Sequence, residues 1–146
     1  MKKYFASLFA RHCIRKSDKA VNDPITAQER LFRRLLETAK DTAFGREYGF
    51  GSIKTYGEFR SEVPLHTYEQ LEPYVRRIAD GERDVLWPGR PAYFAKTSGT
   101  TSGTKYIPLT EEGLACQARA TRDMLLRYIL SSGNVGFVGG KMIFLQ

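Results

Sequence analysis

Apolar positions along this 146-residue chain recur mostly at helical spacing, and polar capping residues mark where helices begin. Tyr4, Phe5, Leu8, Phe9 and Cys13 keep that spacing within residues 1–16, with lysines and arginines beside them, so the pattern predicts an amphipathic first helix. Asn22-Asp23-Pro24 breaks the chain. Thr26-Ala27-Gln28-Glu29 then reads as a capping box, in which the threonine hydroxyl accepts from the Glu29 N–H and the carboxylate reaches back. The helix it opens carries Leu31, Phe32, Leu35, Leu36 and Ala39 on one face. Arg30, Arg33, Arg34, Glu37 and Lys40 take the other, and the helix should end by Gly45. Residues 46–67 read as irregular, apart from a short helix that Thr55-Tyr56-Gly57-Glu58 caps and Val63-Pro64 ends. Thr67-Tyr68-Glu69-Gln70 is a third capping box. Leu71, Val75, Ile78 and Ala79 then hold helical spacing as far as Gly81. Pro73 in their midst predicts either a bent helix or one that starts at the proline.

After Gly81 the pattern changes. Residues 81–84 and 87–91 are connecting loop, and Tyr93–Lys96 and Tyr106–Leu109 read as strands. Thr110 caps a long helix with Leu114, Ala118, Leu125 and Ile129 on its face, which Ser131-Ser132-Gly133-Asn134 stops. Residues 136–140 form a glycine-bounded turn, and residues 141–146 begin another strand. A buried-type strand with no turn or polar tail behind it is an unusual terminus, so a truncated chain is expected. The fold class that follows is α/β, with helices packed around the first strands of a mixed sheet. Two regions are expected: a basic N-terminal segment over 1–25, and residues 26–146.

Charge refines this division. The net charge is +7, but residues 1–20 alone hold +5, from Lys2, Lys3, Arg11, Arg15, Lys16 and Lys19 against Asp18. The basicity therefore belongs to the first segment and not to a folded face, which argues against nucleic-acid binding. That segment is too short in apolar residues, and too interrupted by Arg11 and His12, for a secretory signal. Docking on the domain is the preferred reading over peripheral contact with an anionic membrane. No apolar run approaches the roughly 20 residues of a membrane helix. Cys13 and Cys116 lie far apart without metal-type spacing, as free thiols of a reducing cytosol would. His12 and His66 have no Ser/Asp or Cys partner nearby in sequence and receive no catalytic role.

The candidate chemistry lies between the two strands. Residues 97–105 read Thr-Ser-Gly-Thr-Thr-Ser-Gly-Thr-Lys: six hydroxyls, two glycines, one lysine and no acid. Glycines allow the backbone to approach a ligand closely, while hydroxyls, free N–H groups and a lysine suit phosphate oxygens. The spacing is not that of the Walker loop, which has four residues between its glycines and Lys-Ser/Thr directly after. Nor is it the dinucleotide fingerprint.

The segment resembles the phosphate-binding signature of the adenylate-forming enzymes, the acyl-CoA synthetases and luciferases. It shares Thr97, Ser98, Gly99, Thr100, Thr101 and Lys105 with it and departs at Ser102 and Thr104. The capped helix with Gln28 and Leu35-Leu36, then Phe44-Gly45, Glu47-Tyr48-Gly49, Val63-Pro64, Tyr68-Glu69, Pro73-Tyr74-Val75, the run 78–82 and Lys105-Tyr106-Ile107-Pro108 follow in an order similar to the N-terminal part of the auxin-responsive promoter (Gretchen Hagen) family of acyl acid–amido synthetases. The resemblance implies an ATP-dependent ligase working with Mg²⁺ in the cytoplasm. Such an enzyme activates a carboxylic acid as its acyl-adenylate and transfers it to an amine, usually of an amino acid. It implies that Ser98, Thr100 and Thr101 bind phosphate oxygens, that Gly99 and Gly103 let the loop close, and that Lys105 supplies charge. It implies an adenylate-forming fold and a fragment inactive alone, its catalytic residues unassigned and no metal ligands among its own side chains. Thioester formation, a self-contained nucleotide-binding module, and an interaction domain driven by residues 1–20 remain the alternatives.

Overall fold

The computed structural model of the chain describes residues 2–97 and 103–136. In order, these form α1 (Lys2–Asn22), α2 (Pro24–Ala39), α3 (Ala43–Glu47), α4 (Tyr56–Glu62), α5 (Tyr68–Ala79), β1 (Tyr93–Lys96), β2 (Tyr106–Leu109) and α6 (Glu111–Ser132). The chain divides into two compact units, Met1–Pro24 with Ala115–Gln146, and Ile25–Leu114. Helices dominate, and the sheet among the described residues is a two-stranded antiparallel hairpin, compatible with an α/β N-terminal domain. The strand expected over residues 141–146, and the turn that precedes it, lie outside the described residues.

In the first unit, Ala10 and Ile14 of α1 are buried against Leu126 and Ile129 of α6, with Ala6, Cys13, Leu130 and Val135 packed around them. The N-terminal segment thus folds as a helix and has a partner. Ser17 donates to Asp123, and Asp18 pairs with Arg127 at 2.8 Å. The serine hydroxyl and then Arg122 hold the Asp123 carboxyl below its usual range. The expected face of α6 is corrected at one end. Ile129 is buried and Leu125 half-buried as the spacing requires, but Ala118 is exposed, and Leu126 fills the core instead.

The second unit begins with two corrections. α2 starts at Pro24, where a missing N–H costs nothing and φ is already helical. Thr26 is consequently inside the helix and not at the N-cap position that the sequence pattern gives it. The buried stripe is narrower than the pattern suggests. Leu36 and Ala39 are buried and Phe32 half-buried, whereas Leu31 and Leu35 remain 46% and 43% exposed. The helix ends at Ala39, within the expected limit of Gly45, and Thr42 opens a new one: its hydroxyl accepts from the Gly45 N–H at 2.9 Å. α3 therefore occupies part of what reads as irregular chain.

Gly45 is required where it stands. A Cβ there would lie 2.0 Å from the Ala39 carbonyl oxygen, so only glycine lets α3 turn back onto the end of α2. The first N–H groups of α3, from Ala43 and Phe44, donate to the carbonyls of Asp84 and Val85 at 2.8 and 3.0 Å. This latches the loop after α5, and Val85 is 1% exposed as a result. Around Phe44 gather Tyr48, Phe50, His66 and Tyr74, with ring centroids 4.5 to 5.8 Å away. His66 Nε2 lies 2.8 Å from the Tyr48 hydroxyl, a structural role in this aromatic cluster. The Thr55 capping box of α4 forms as read, and Val63 ends the helix. α5 starts after Thr67, whose N–H donates to Gln70 Oε1 at 2.8 Å, and runs unbroken through Pro73 to Ala79. Pro73 stands inside the helix, past its first turn, and lacks the N–H that would bond the Glu69 carbonyl, so the helix gives up that backbone bond. Gly81, at φ 96°, follows the C-cap Asp80.

Candidate nucleotide-phosphate loop

The hairpin holds the loop by its two ends. Antiparallel register pairs Tyr93 with Leu109, Phe94 with Pro108, Ala95 with Ile107 and Lys96 with Tyr106. One step further, the Thr97 N–H donates to the Lys105 carbonyl at 3.0 Å, and the Lys105 N–H donates to Thr97 Oγ1 at 3.2 Å. Thr97 thus closes the neck of the loop with backbone and side chain together. Gly103 takes φ 81°, a left-handed conformation that glycine adopts without strain, and nothing lies within 4 Å of where its Cβ would be. Ser98, Gly99, Thr100 and Thr101, expected to contact phosphate, lie outside the described residues. Of the expected site, Gly103 and Lys105 are placed, both on the returning arm.

Lys105 does not stand alone. Its Nζ lies 3.4 Å from Glu69 Oε1 and 5.0 Å from the centre of the Tyr68 ring. Tyr68 in turn grips the strand that Lys105 leads into. Its hydroxyl accepts the Tyr106 N–H at 2.8 Å and sits 3.3 Å from the Tyr106 carbonyl, to which it donates. Alternation along an antiparallel strand explains why these groups are free to bind it: Tyr106 and Pro108 turn their backbone polar groups away from β1. Pro108, with no N–H, is tolerated on that outer edge. The Glu69 carboxyl is held below its usual range by its own backbone N–H, then by the Thr67 hydroxyl, then by Lys105. Sequence reading gives Tyr68 and Glu69 a place in a helix start and in the family resemblance, but no contact with the loop. Their contact with the loop spans more than thirty positions and leaves no local signal.

Tyr68 and Tyr106 also line a groove of about 390 Å³. Its walls are mainly apolar: Leu71, Val75 and Ile78 of α5, Val85 and Trp87 of the latched loop, and Ile107 of β2. The Trp87 indole donates to Glu112 Oε2 at 3.1 Å. Asp84, at φ 57°, fixes the turn before it by exchanging bonds with Gly89: Oδ1 accepts the glycine N–H at 2.6 Å, and its own N–H donates to the Gly89 carbonyl at 3.0 Å. The groove offers shape and apolar surface beside the loop's exit. The returning arm of the loop offers a cation, Lys105. Among the described residues, no group of three or more His, Cys, Asp or Glu side chains could hold a metal ion, and no helix is long and apolar enough to cross a membrane.

Residues 13–144 match the family model described as the GH3 family N-terminal domain. Among similar proteins is a jasmonoyl–L-amino acid synthetase of Oryza sativa subsp. japonica, 34% identical over 101 residues, which cover 68% of this chain and 22% of the relative. A probable indole-3-acetic acid-amido synthetase of the same organism is 32% identical over 121 residues, 81% of this chain and 20% of its own. Another from Arabidopsis thaliana is 34% identical over 91 residues, covering 61% and 15%. The chain therefore spans about a fifth of the length of the relatives it matches.

Proposed function

Because the chain belongs to the GH3 family, the Gretchen Hagen family that its sequence resembles, we propose that it supplies the ATP-phosphate loop of an acid–amido synthetase. In the whole protein, a substrate carboxylate attacks the α-phosphorus of ATP. A phosphorus–oxygen bond forms to the acid and another breaks, releasing pyrophosphate and leaving the acyl-adenylate. The amine of an amino acid then attacks the acyl carbon, the amide forms, AMP departs and the amine gives up a proton. Relatives named as a jasmonoyl–L-amino acid synthetase and a probable indole-3-acetic acid-amido synthetase support the joining of an acid to an amine. Residues 26–146 are, in this reading, the N-terminal portion of an adenylation domain of the adenylate-forming fold.

The observation that carries the reading is the hairpin neck. Thr97 and Lys105 are bonded to each other, so the hydroxyl-rich segment between them is presented as a closed loop with one ammonium at its exit. Negative charge builds on the transferring phosphorus, and positioned donors and a cation stabilise it. Ser98, Thr100 and Thr101 would donate to phosphate oxygens, Gly99 and Gly103 would allow the close approach, and Lys105 would neutralise charge. Gly103 fits this role, being left-handed and unobstructed. Mg²⁺ would be carried in on the ATP phosphates, as it commonly is in phosphoryl-transfer sites.

Calorimetric titration of the chain with MgATP tests the assignment. Saturable binding that weakens in both Lys105→Ala and Thr101→Ala is expected. Failure to bind, or binding indifferent to both substitutions, overturns it. Phosphate binding is assigned to these residues and the complete reaction to the whole protein, so the 146-residue chain should show no acid-dependent pyrophosphate exchange.

A further inference from the structure

We propose that Glu69 is the resident counter-anion of Lys105, holding the loop's ammonium in place until nucleotide phosphate displaces it. The inference rests on reading residues 97–105 as a phosphate loop. Three observations carry it. The Glu69 carboxylate is 3.4 Å from Lys105 Nζ, and the ring of the preceding residue, Tyr68, lies 5.0 Å from the same atom. The two partners differ in cover: the Lys105 side chain is 30% exposed and that of Glu69 60%. And Tyr68 is tied to the Tyr106 backbone through its hydroxyl, so the ring is a fixed platform.

These facts assign different parts to the two contacts. A free lysine side chain spreads over many rotamers, and ordering it on binding costs affinity. The Tyr68 ring restrains it without competing for an anion, since a ligand anion can approach the ammonium from the side away from the ring. Glu69 restrains it too, but by occupying the charge that phosphate needs. The carboxylate is the more exposed partner and also accepts from its own backbone N–H and the Thr67 hydroxyl, so phosphate has only to replace its 3.4 Å contact with Lys105, which stays on the ring. A polyphosphate brings more charge and more acceptor oxygens than one carboxylate, and so it displaces Glu69. Glu69 is thus a positioning residue that acts through Lys105.

The test is MgATP affinity, measured calorimetrically on the whole chain for the wild type, Glu69→Gln, Lys105→Ala and the double variant. An exposed pair of this kind limits the effect, so Glu69→Gln should bind roughly two- to fivefold more tightly at low ionic strength. The advantage should shrink as salt rises and vanish where Lys105 is already alanine. Glu69→Asp, which keeps the charge, should stay near wild type. A merely structural role for Glu69 would not follow salt or depend on Lys105. Equal or weaker binding by Glu69→Gln, or the same gain with Lys105 replaced, overturns the inference. If wild type binds, Lys105→Ala weakens it and Glu69→Gln changes nothing, the counter-anion alone is rejected. If no variant binds MgATP, the phosphate-loop reading falls and the inference falls with it.

Discussion

Replacing Gly45 by alanine sets two effects of opposite sign against each other. Gly45 lies within α3, and helix propensity alone favours alanine over glycine by about 1 kcal/mol. The added methyl, however, would sit 2.0 Å from the Ala39 carbonyl oxygen and 2.8 Å from the Ala39 carbonyl carbon. That neighbour is backbone at the end of α2 and cannot rotate away as a side chain would. Relief requires α3 to lift from α2, which stretches three contacts at once: Thr42 N–H to the Ala39 carbonyl at 3.0 Å, Thr42 Oγ1 to the same oxygen at 2.7 Å, and Gly45 N–H to Thr42 Oγ1 at 2.9 Å. Thr42 is 1% exposed, so water does not replace what is lost. At about 1 kcal/mol for each bond, the loss is about 3 kcal/mol and outweighs the propensity gain. The net destabilisation is about 2 kcal/mol, and Tm should fall by roughly 8–16 °C for a unit of this size. Thermal unfolding followed by circular dichroism measures the fall. The chain has one tryptophan, Trp87, in the loop that α3 latches, so its fluorescence should report the loosening independently. An unchanged or raised Tm would refute the steric reasoning.

Tyr74 donates to Glu47 Oε2 at 2.6 Å, and this bond, followed by burial, raises its pKa to about 12. Its folded pKa lies above the ordinary value, so its stabilising contribution is complete below pH 10 and fades as pH rises toward 12; ultraviolet titration should find one late tyrosine that Glu47→Gln returns toward normal. Tyr68→Phe keeps the ring under Lys105 but removes the hydroxyl from both backbone groups of Tyr106. It should cost about 1 kcal/mol in denaturant unfolding, and a loss near zero would show the clamp to be idle. Thr55→Ala removes the acceptor for the Glu58 N–H at 3.2 Å, and about 1 kcal/mol of stability should go with it, measured by the same unfolding curve.

Local chemistry announces itself in the sequence where it acts over three or four residues. The Thr55 and Thr110 caps, Gly81 after α5 and both strands fall where their residues indicate, because each depends on neighbours in the chain. Thr26 misleads for an equally local reason: Pro24, two positions earlier, is the better helix start. The width of a buried face is a different matter. Leu31 and Leu35 satisfy the helical period as well as Leu36 does, yet periodicity cannot say how far round the helix its partner reaches. The aromatic cluster about Phe44 draws on residues from 44 to 74, and although Phe44, Tyr48 and Tyr74 stand in segments that carry the family resemblance, no local pattern says that their rings meet. In the candidate site the loop is legible as composition, while its surroundings are not. Tyr68 and Glu69 belong to a helix start and to the family resemblance, and only tertiary structure brings them to Lys105.

The grip of Tyr68 on Tyr106 also fixes the direction in which the sheet can grow. On the outer edge of β2, the polar groups of Tyr106 are already bound, and two residues on, Pro108 has no N–H to give. A further strand finds no ladder there. Any strand that extends this sheet must therefore add beside β1, leaving β2, and the lysine that leads into it, at the margin.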